Sequence, residues 1–283
     1  MSDRTTTPIE VIVERLREVN DFSPIQGVDL YGGEVGILDY GYLNELDKEI
    51  RKFTPNINVI TNLSKMNHYF LHEDVSLSVS WDYKARQSWE KVLENMMSLD
   101  RSLSVLMLAT PELMMFRPEE IMSYLYLVPN LTSIEIKPYS PNQANDMGPM
   151  ELQYMNWVGD WINMFRRNHR LSQRMDLENI HRIERSLSGS YNAFSDNHVY
   201  IRPNGRLAVL DFDENQKEYF REVEDMRGYK EWSDNEKLKV NSNKVCGACK
   251  YKGKCLTEHY REVKETDISC NGFRQLLDWY QVQ

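Results

Sequence analysis

The sequence predicts an α/β fold in which an incomplete barrel of parallel strands and helices is followed by a small extension that contains a β-hairpin and clustered cysteines. Strand-like apolar runs alternate with amphipathic helical stretches over most of the first 170 residues, as in β–α–β units. An Asn-Gly turn joins two alternating runs after residue 198. All four cysteines lie between residues 246 and 270, which indicates a separate metal-binding segment.

A helix is predicted close to the N-terminus. Thr7 and Glu10 have the spacing of a capping box, and Pro8 suits the first helical position. Apolar residues then recur at helical spacing at Ile9, Ile12, Val13 and Leu16. This helix is therefore expected to bury one face.

Five strands separated by helices are predicted next. They cover residues 27–31, 57–63, 75–81, 104–110 and 131–140. Because right-handed β–α–β connections produce a parallel sheet, we expect these strands to pair in chain order. A helix precedes the first of them, so the predicted (β/α)6 barrel is partial and its first strand is missing.

The carboxyl ends of these strands are polar. They carry Gly32-Gly33-Glu34, Asn62, Ser80–Asp82, Thr110 and residues 137–140. In parallel β/α sheets, ligands bind at this carboxyl edge. A glycine pair without side chains also allows the backbone to approach a ligand closely. We therefore expect a binding site there, with residues 32–34, called the corner below, as part of it.

The pattern changes between about residues 170 and 195, which predicts a barrel domain at 1–180 and an extension at 181–283. Residues 198–213 form two alternating runs around Pro203-Asn204-Gly205, a strong hairpin signal. A polar stretch without a predicted strand or helix then runs from Asp213 to Lys244.

The cysteines follow the spacing C-x2-C-x5-C-x14-C, at Cys246, Cys249, Cys255 and Cys270. Four thiolates from one short segment can ligate zinc or an iron–sulfur cluster, and the spacing does not distinguish the two. Such clustering favours metal binding over disulfides. Three interleaved lysines would offset the negative charge of the centre: Lys250, Lys252 and Lys254.

Composition excludes several functional classes. The net charge of −9 disfavours non-specific binding to nucleic acid. No run of about 18 apolar residues predicts a membrane span, and the N-terminus has no apolar signal-peptide core. The expected location is cytoplasmic.

Taken together, these features resemble the radical SAM superfamily, in particular its members with a C-terminal SPASM or twitch extension. The match lies in the segments VDLYGGEVGIL, NVITNLSK, VSLSVSWDYKARQSWEKVL and HVYIRPNGRLAVL, followed by the cysteines. It covers about residues 8–280 of the chain.

The resemblance implies that S-adenosyl-L-methionine (SAM) binds at the carboxyl edge. The SAM-binding positions of the family fall on Gly32, Gly33, Glu34, Asn62, Ser78 and Arg86. The corner would receive the amino end of the SAM methionine, and Arg86 would pair with its carboxylate. The four cysteines would hold one auxiliary 4Fe-4S cluster, with zinc as the alternative.

The implied activity is reductive cleavage of SAM to a radical that abstracts hydrogen, with a peptide or protein as the first substrate class. The C-x3-C-x2-C loop that binds the SAM-cleaving cluster in this family does not occur in residues 1–283. The loop could lie upstream of Met1, lie on another chain, or be lost. A degenerate scaffold without radical chemistry and a zinc-binding interaction protein therefore remain alternatives.

Overall fold

The computed structural model describes residues 6–85, 87–138, 151–194, 196–213, 218–256, 270 and 273–283. The chain divides into two compact units. The first unit contains Pro8–Pro138 and Asp160–Glu178, and the second contains Asn179–Gln283 with residues 6–7 and 151–159. Within the described ranges, no helix is both long enough and apolar enough to cross a membrane.

Six parallel strands, paired in chain order, form the sheet of the first unit. They are β1 (Val28–Leu30), β2 (Ile57–Thr61), β3 (Ser76–Ser80), β4 (Leu103–Ala109), β5 (Leu131–Pro138) and β6 (Asp176–Leu177). The first five confirm the predicted strands. The sixth was not predicted, because two residues are too few to show alternation.

Helices connect these strands, as expected for a partial β/α barrel. They are α1 (Ile9–Phe22), α2 (Tyr40–Ile50), α3 (Trp89–Ser98), α4 (Pro118–Leu125) and α6 (His169–Arg174). A longer helix, α5 (Glu151–Arg167), belongs in part to each unit. The sheet and its helices confirm the predicted fold class.

The two faces of this sheet differ in polarity. Strand residues on one face are fully buried, including Val59, Val79 and Val105 at 0% exposure. The other face carries a chain of hydrogen-bonded polar side chains across β1 to β4. Because helices cover the apolar face of a β/α barrel, the polar face is the inner one.

Four side chains form that chain of hydrogen bonds. Asn58 donates to the carboxylate of Asp29 at 2.9 Å. The Ser78 hydroxyl lies 3.1 Å from Oδ1 of Asn58 and 2.9 Å from the hydroxyl of Ser104. Neighbouring strands are thus linked through side chains as well as through the backbone, which gives the inner face a fixed polar floor.

The start of α1 differs from the prediction. The helix begins at Ile9 with Pro8 as its N-cap, and no side chain caps it. The Thr7 hydroxyl instead donates to the carbonyl of Pro203 at 2.8 Å. The predicted capping box is therefore wrong, because the helix starts after Pro8 and its first N–H groups have no side-chain acceptor among the described residues. The predicted apolar face is confirmed by the burial of Val13 and Leu16.

The second unit contains an antiparallel three-stranded sheet of β7 (Tyr200–Ile201), β8 (Leu207–Asp213) and β9 (Glu218–Val223). Its helices are α7 (Glu178–Ser188), α8 (Met226–Ser242), α9 (Lys244–Gly247) and α10 (Arg274–Gln281). The predicted hairpin is confirmed, with Gly205 at φ +77° in the turn. The polar stretch from Asp213 to Lys244 contains β9 and α8, for which no prediction was made from the sequence.

The helix α8 was not predicted from the sequence because its composition is polar. Only a few of its residues are buried, and they are mixed: Met226, Tyr229, Trp232, Ser233, Glu236 and Val240. Ser233 and Glu236 interrupt the apolar stripe that would have indicated a helix. A buried polar residue can replace an apolar one when a specific partner is present.

Asp196 is the partner that fixes α8. Its carboxylate accepts hydrogen bonds from Ser233 and from Asn192, each at 2.9 Å, and pairs with Lys237. Burial alone would raise the pKa of Asp196, but the bonds from Lys237, Asn192 and Ser233 outweigh it and lower that pKa. The ionised carboxylate therefore stabilises the second unit.

We predict that Asp196→Asn lowers the free energy of unfolding by about 1–2 kcal/mol at pH 7, because a charge-assisted set of hydrogen bonds is weakened. The lowered pKa means that this stabilisation is complete above the unfolded-state pKa of about 3.9 and is lost as the pH falls through the folded-state value. Urea denaturation at pH 7 and pH 3 should show the difference between wild type and variant shrinking in acid.

Asp234→Asn is the matched control, because Asp234 is exposed and only pairs with Lys230 on the surface of α8 at 2.8 Å. Its effect should stay below about 0.5 kcal/mol. Equal losses for Asp196→Asn at both pH values would contradict the prediction.

Candidate functional site

The Glu34 carboxylate joins the carboxyl ends of β1 and β2. It accepts hydrogen bonds from the backbone N–H of Gly36 at 2.8 Å, the hydroxyl of Thr61 at 2.5 Å and the backbone N–H of Asn62 at 3.0 Å. Three donors satisfy most of the acceptor capacity of one carboxylate. Glu34 is thus engaged within the protein and fixes the shape of the corner.

The two glycines of the corner face open space. Gly32 and Gly33 have φ angles of +109° and +59°, a backbone region that residues with a side chain rarely adopt. A Cβ atom placed on either glycine would have no atom within 4 Å. The backbone of the corner is therefore accessible to a ligand, as the sequence predicted for a glycine pair.

A third glycine, Gly36, has a packing role that sequence analysis did not identify. A Cβ atom there would lie 2.3 Å from the carbonyl oxygen of Lys65 and 2.8 Å from the Glu34 carboxylate. The side chain of Asn67 also donates to the carbonyl of Leu38 at 2.8 Å. The loop after the corner is thus packed directly against the loop after β2.

The turn after β2 places Asn62 beside the corner. The Asn62 side chain accepts from the N–H of Ser64 at 2.9 Å, and the Thr61 hydroxyl accepts from the N–H of Leu63 at 2.9 Å. Leu63 has a positive φ of 51°, and the buried amide of Asn95 donates to its carbonyl at 2.8 Å. Asn62 therefore shapes the turn.

Thr61 and Asn95 were not predicted as site residues. The Thr-Asn pair at the end of the strand was the available signal for Thr61, but nothing in the sequence around Asn95 indicates a bond to a residue 32 positions earlier. Both residues support the corner through the turn after β2.

The other predicted SAM-binding positions are less closely tied to the corner. Ser78 lies on the inner face in the middle of β3, and its hydroxyl has partners on both neighbouring strands. Arg86 lies outside the described residues, as do residues 139 and 140. Their roles stay predictions from sequence.

Two further polar residues at the carboxyl edge have local partners. Thr110 accepts from the N–H of Leu113 at 3.1 Å and so caps the turn after β4. Lys137 lies 3.8 Å from Glu135 on the same strand. These two side chains therefore have partners within the first unit, whereas the corner has open space beside Gly32 and Gly33.

The four cysteines lie in the second unit. Cys246 and Cys255 are buried, and Cys249 and Cys270 are half-buried. Burial raises the pKa of the Cys246 thiol to about 11, and each of the other three thiols adds to the rise. The other three cysteines thus lie within electrostatic range of Cys246.

The described thiols do not form a finished metal site. Among the described residues, no group of three or more His, Cys, Asp or Glu side chains is close enough to hold a metal ion. The donor set nevertheless fits a thiolate-ligated centre, because it offers four sulfurs from a single segment.

Hydrogen bonds fix the segment that carries three of the cysteines. Asn243 Oδ1 accepts from the N–H groups of Val245 and Cys246 at 2.8 and 2.9 Å. The Tyr251 hydroxyl donates to Asp278 at 2.7 Å. Lys250 also pairs with Asp278 at 2.7 Å. A carboxylate on α10 therefore balances the charge of Lys250.

We predict that Gly36→Ala destabilises the first unit by about 1–3 kcal/mol, because the added methyl group overlaps a backbone carbonyl. Gly27→Ala is the matched control, since a Cβ atom there would make only ordinary contacts at 3.5 and 3.6 Å. Chemical denaturation of both variants tests this prediction. Equal stability of the two variants would show that the loop accommodates the methyl group without cost.

Comparison with solved structures identifies the fold. Native anSMEcpe with bound AdoMet (SAM) has a TM-score of 0.67 at 14% identity, over 97% of this chain and 86% of that one. A histidine-tagged form of anSMEcpe with bound AdoMet has a TM-score of 0.66 at 14% identity, over 96% and 86%. Streptococcus suis SuiB bound to S-adenosylmethionine has a TM-score of 0.63 at 10% identity, over 97% and 72%.

No family model matches the chain, and no curated protein sequence does. The likeness is therefore visible in three dimensions and not in overall sequence identity. It confirms the architecture that the short motifs implied. The chain has the radical SAM type of fold.

Proposed function

We propose that the chain is a radical SAM-type enzyme, or the larger part of one, that uses SAM and iron–sulfur clusters to abstract hydrogen from a substrate. The observation that carries this proposal is a fold shared over nearly the whole chain with proteins solved with SAM bound. The accessible corner at the carboxyl edge supports it. Fold alone does not define chemistry, so the proposal rests on the site as well.

SAM would bind with its methionine end at the corner. The backbone of Gly32 and Gly33 is accessible and would approach the amino group, while Glu34 holds the loop in place. Asn62 is adjacent to this loop, and Arg86 would provide a cation for the methionine carboxylate. Ser78 would form part of the polar floor beneath the ligand.

The four cysteines would hold one auxiliary 4Fe-4S cluster, with zinc as the alternative metal. Such a cluster, when bound, supplies electron transfer or a coordination position for substrate. The protein contributes four sulfurs and a fixed segment from Asn243 to Cys255. Cysteines that are not joined in disulfides suit a reducing, cytoplasmic location.

We take a peptide or protein as the first substrate class. This choice rests on the resemblance of the C-terminal hairpin and cysteine segment to SPASM-type extensions. No acid or base that acts on the substrate is assigned.

A SAM-binding scaffold without radical chemistry is the second candidate function. The observation that favours it is that all four cysteines lie between residues 246 and 270, so residues 1–283 provide no second set of thiolates near the corner. SAM binding without SAM cleavage would support this candidate, provided that the complete protein is assayed with its cluster loaded.

We predict that the chain binds SAM and that Gly33→Ala weakens binding about tenfold, a loss of about 1.4 kcal/mol, because alanine disfavours the left-handed backbone that shapes the corner. Isothermal titration calorimetry measures both affinities. Gly189→Ala is the matched control, since Gly189 also has a positive φ of 83° but lies in the second unit.

Two outcomes would contradict different parts of this prediction. Absence of SAM binding by the wild type would overturn the proposed function. Equal affinities for wild type and Gly33→Ala would mean that SAM binds, but not at the corner.

Metal content tests the cysteine site separately. After anaerobic reconstitution with iron and sulfide, we predict about four iron atoms per chain and a broad visible absorption. Cys246→Ala should lose both, whereas Lys252→Ala, a change between the ligands, should retain them. About one zinc per chain without colour would instead favour a structural zinc site.

A further inference from the structure

A groove of about 690 Å³ lies among helices of the first unit. It is bordered by the start of α4 and by the junction of α5 and α6. The charged residues that line it are Arg117, Glu119, Asp160, Arg167, His169 and Arg170. A groove of this size accommodates a few residues of an extended peptide.

Three of the residues that line this groove are arginines. Arg117, Arg167 and Arg170 are exposed, and in the part of the chain that the structure describes none of them forms an ion pair within 4 Å. A hydrogen bond from Tyr83 lowers the pKa of the neighbouring Glu120 carboxylate, and the charge of Arg117 adds to this effect. Some other cations of the first unit are paired, such as Arg15 with Glu18 and Lys52 with Glu49, both at 2.6 Å.

The sequence makes this arrangement unusual. The chain has 43 acidic residues against 34 lysines and arginines, so carboxylates are in excess. Yet residues 166–170 read Arg-Arg-Asn-His-Arg, a concentrated basic run. Unpaired arginines in an acidic protein concentrate positive potential at one place, which attracts an anionic partner.

The groove fits carboxylates better than a polyphosphate chain. Glu119 and Asp160 interrupt the basic surface, and the net charge of −9 opposes a long nucleic acid. Separated guanidinium groups can each bind one carboxylate with two parallel hydrogen bonds. We therefore propose that this groove docks an acidic segment of a partner polypeptide, with glutamate or aspartate side chains on Arg117, Arg167 and Arg170.

The position of the groove is informative. The helix α4 begins after the loop that leaves the carboxyl end of β4, so its first turn lies toward the carboxyl edge of the sheet. A polypeptide held at Arg117 is thus attached on the side of the sheet where the corner lies. Docking itself needs neither SAM nor metal, so it can be tested independently of the proposed function.

Fluorescence anisotropy with a labelled peptide rich in glutamate tests the proposal on the full chain. We expect binding at low salt that weakens at physiological ionic strength, and no binding of the same peptide with glutamine in place of glutamate. The double variant Arg167→Glu/Arg170→Glu should lose about tenfold or more in affinity, because two attractions become repulsions.

Two further variants keep the test specific. Arg17→Glu makes the same type of substitution at one exposed arginine on α1. This variant should bind the glutamate peptide as the wild type does. Arg167→Lys/Arg170→Lys keeps the charge and should retain part of the affinity even if the glutamate variant fails to fold. Circular dichroism and thermal unfolding establish which variants are folded.

Several results would overturn the proposal. These are no binding of the glutamate peptide, equal binding by the Arg167→Glu/Arg170→Glu and Arg17→Glu variants, and tighter binding of single-stranded RNA at the same arginines. Self-association of the free chain that disappears in the double variant would assign the groove to a second copy instead.

Discussion

The Glu34 carboxylate is the constraint on which the carboxyl edge of the sheet depends. One side chain after β1 is bound by donors from its own loop and from the end of β2, at 2.5–3.0 Å. An unsatisfied carboxylate in this half-buried place would be costly, so the two loops are held together. Gly36 makes the arrangement possible, since a side chain there would overlap the loop after β2. The backbone of Gly32 and Gly33 stays accessible because the glutamate turns inward.

Hydrogen-bonded polar side chains also cross the inner face of the sheet. Asp29, Asn58, Ser78 and Ser104 come from four consecutive strands and bond to one another. Small hydroxyl and amide side chains leave room above the sheet, whereas large apolar residues would fill a barrel interior. A polar floor that is already hydrogen-bonded needs little rearrangement when a ligand binds above it. The corner and the floor thus favour a polar ligand.

Much of the first unit was predictable because its physical signals are local. Strands such as β2 and β4 alternate buried and less buried residues, and the corner is a contiguous motif. The bond between Asn95 and Leu63 was not predictable, since it joins distant positions through tertiary packing. The helix α8 was hidden because Asp196, far away in sequence, satisfies its buried Ser233. The backbone of Asn62 bonds to Glu34 at the corner, and the side chain of Asn62 shapes a turn.

The cysteine segment shows how burial and metal affinity are connected. Four neighbouring thiols, two of them buried, disfavour ionisation, so the pKa of Cys246 rises to about 11. A cation among the sulfurs would reverse the sign of these interactions and stabilise the thiolates, with release of protons. Without a metal, the mutual repulsion of the thiolates makes ionisation unfavourable. With a metal bound, one cation stabilises the thiolates together. Charge alone selects neither zinc nor iron, and the choice between them depends on sulfide and on coordination geometry.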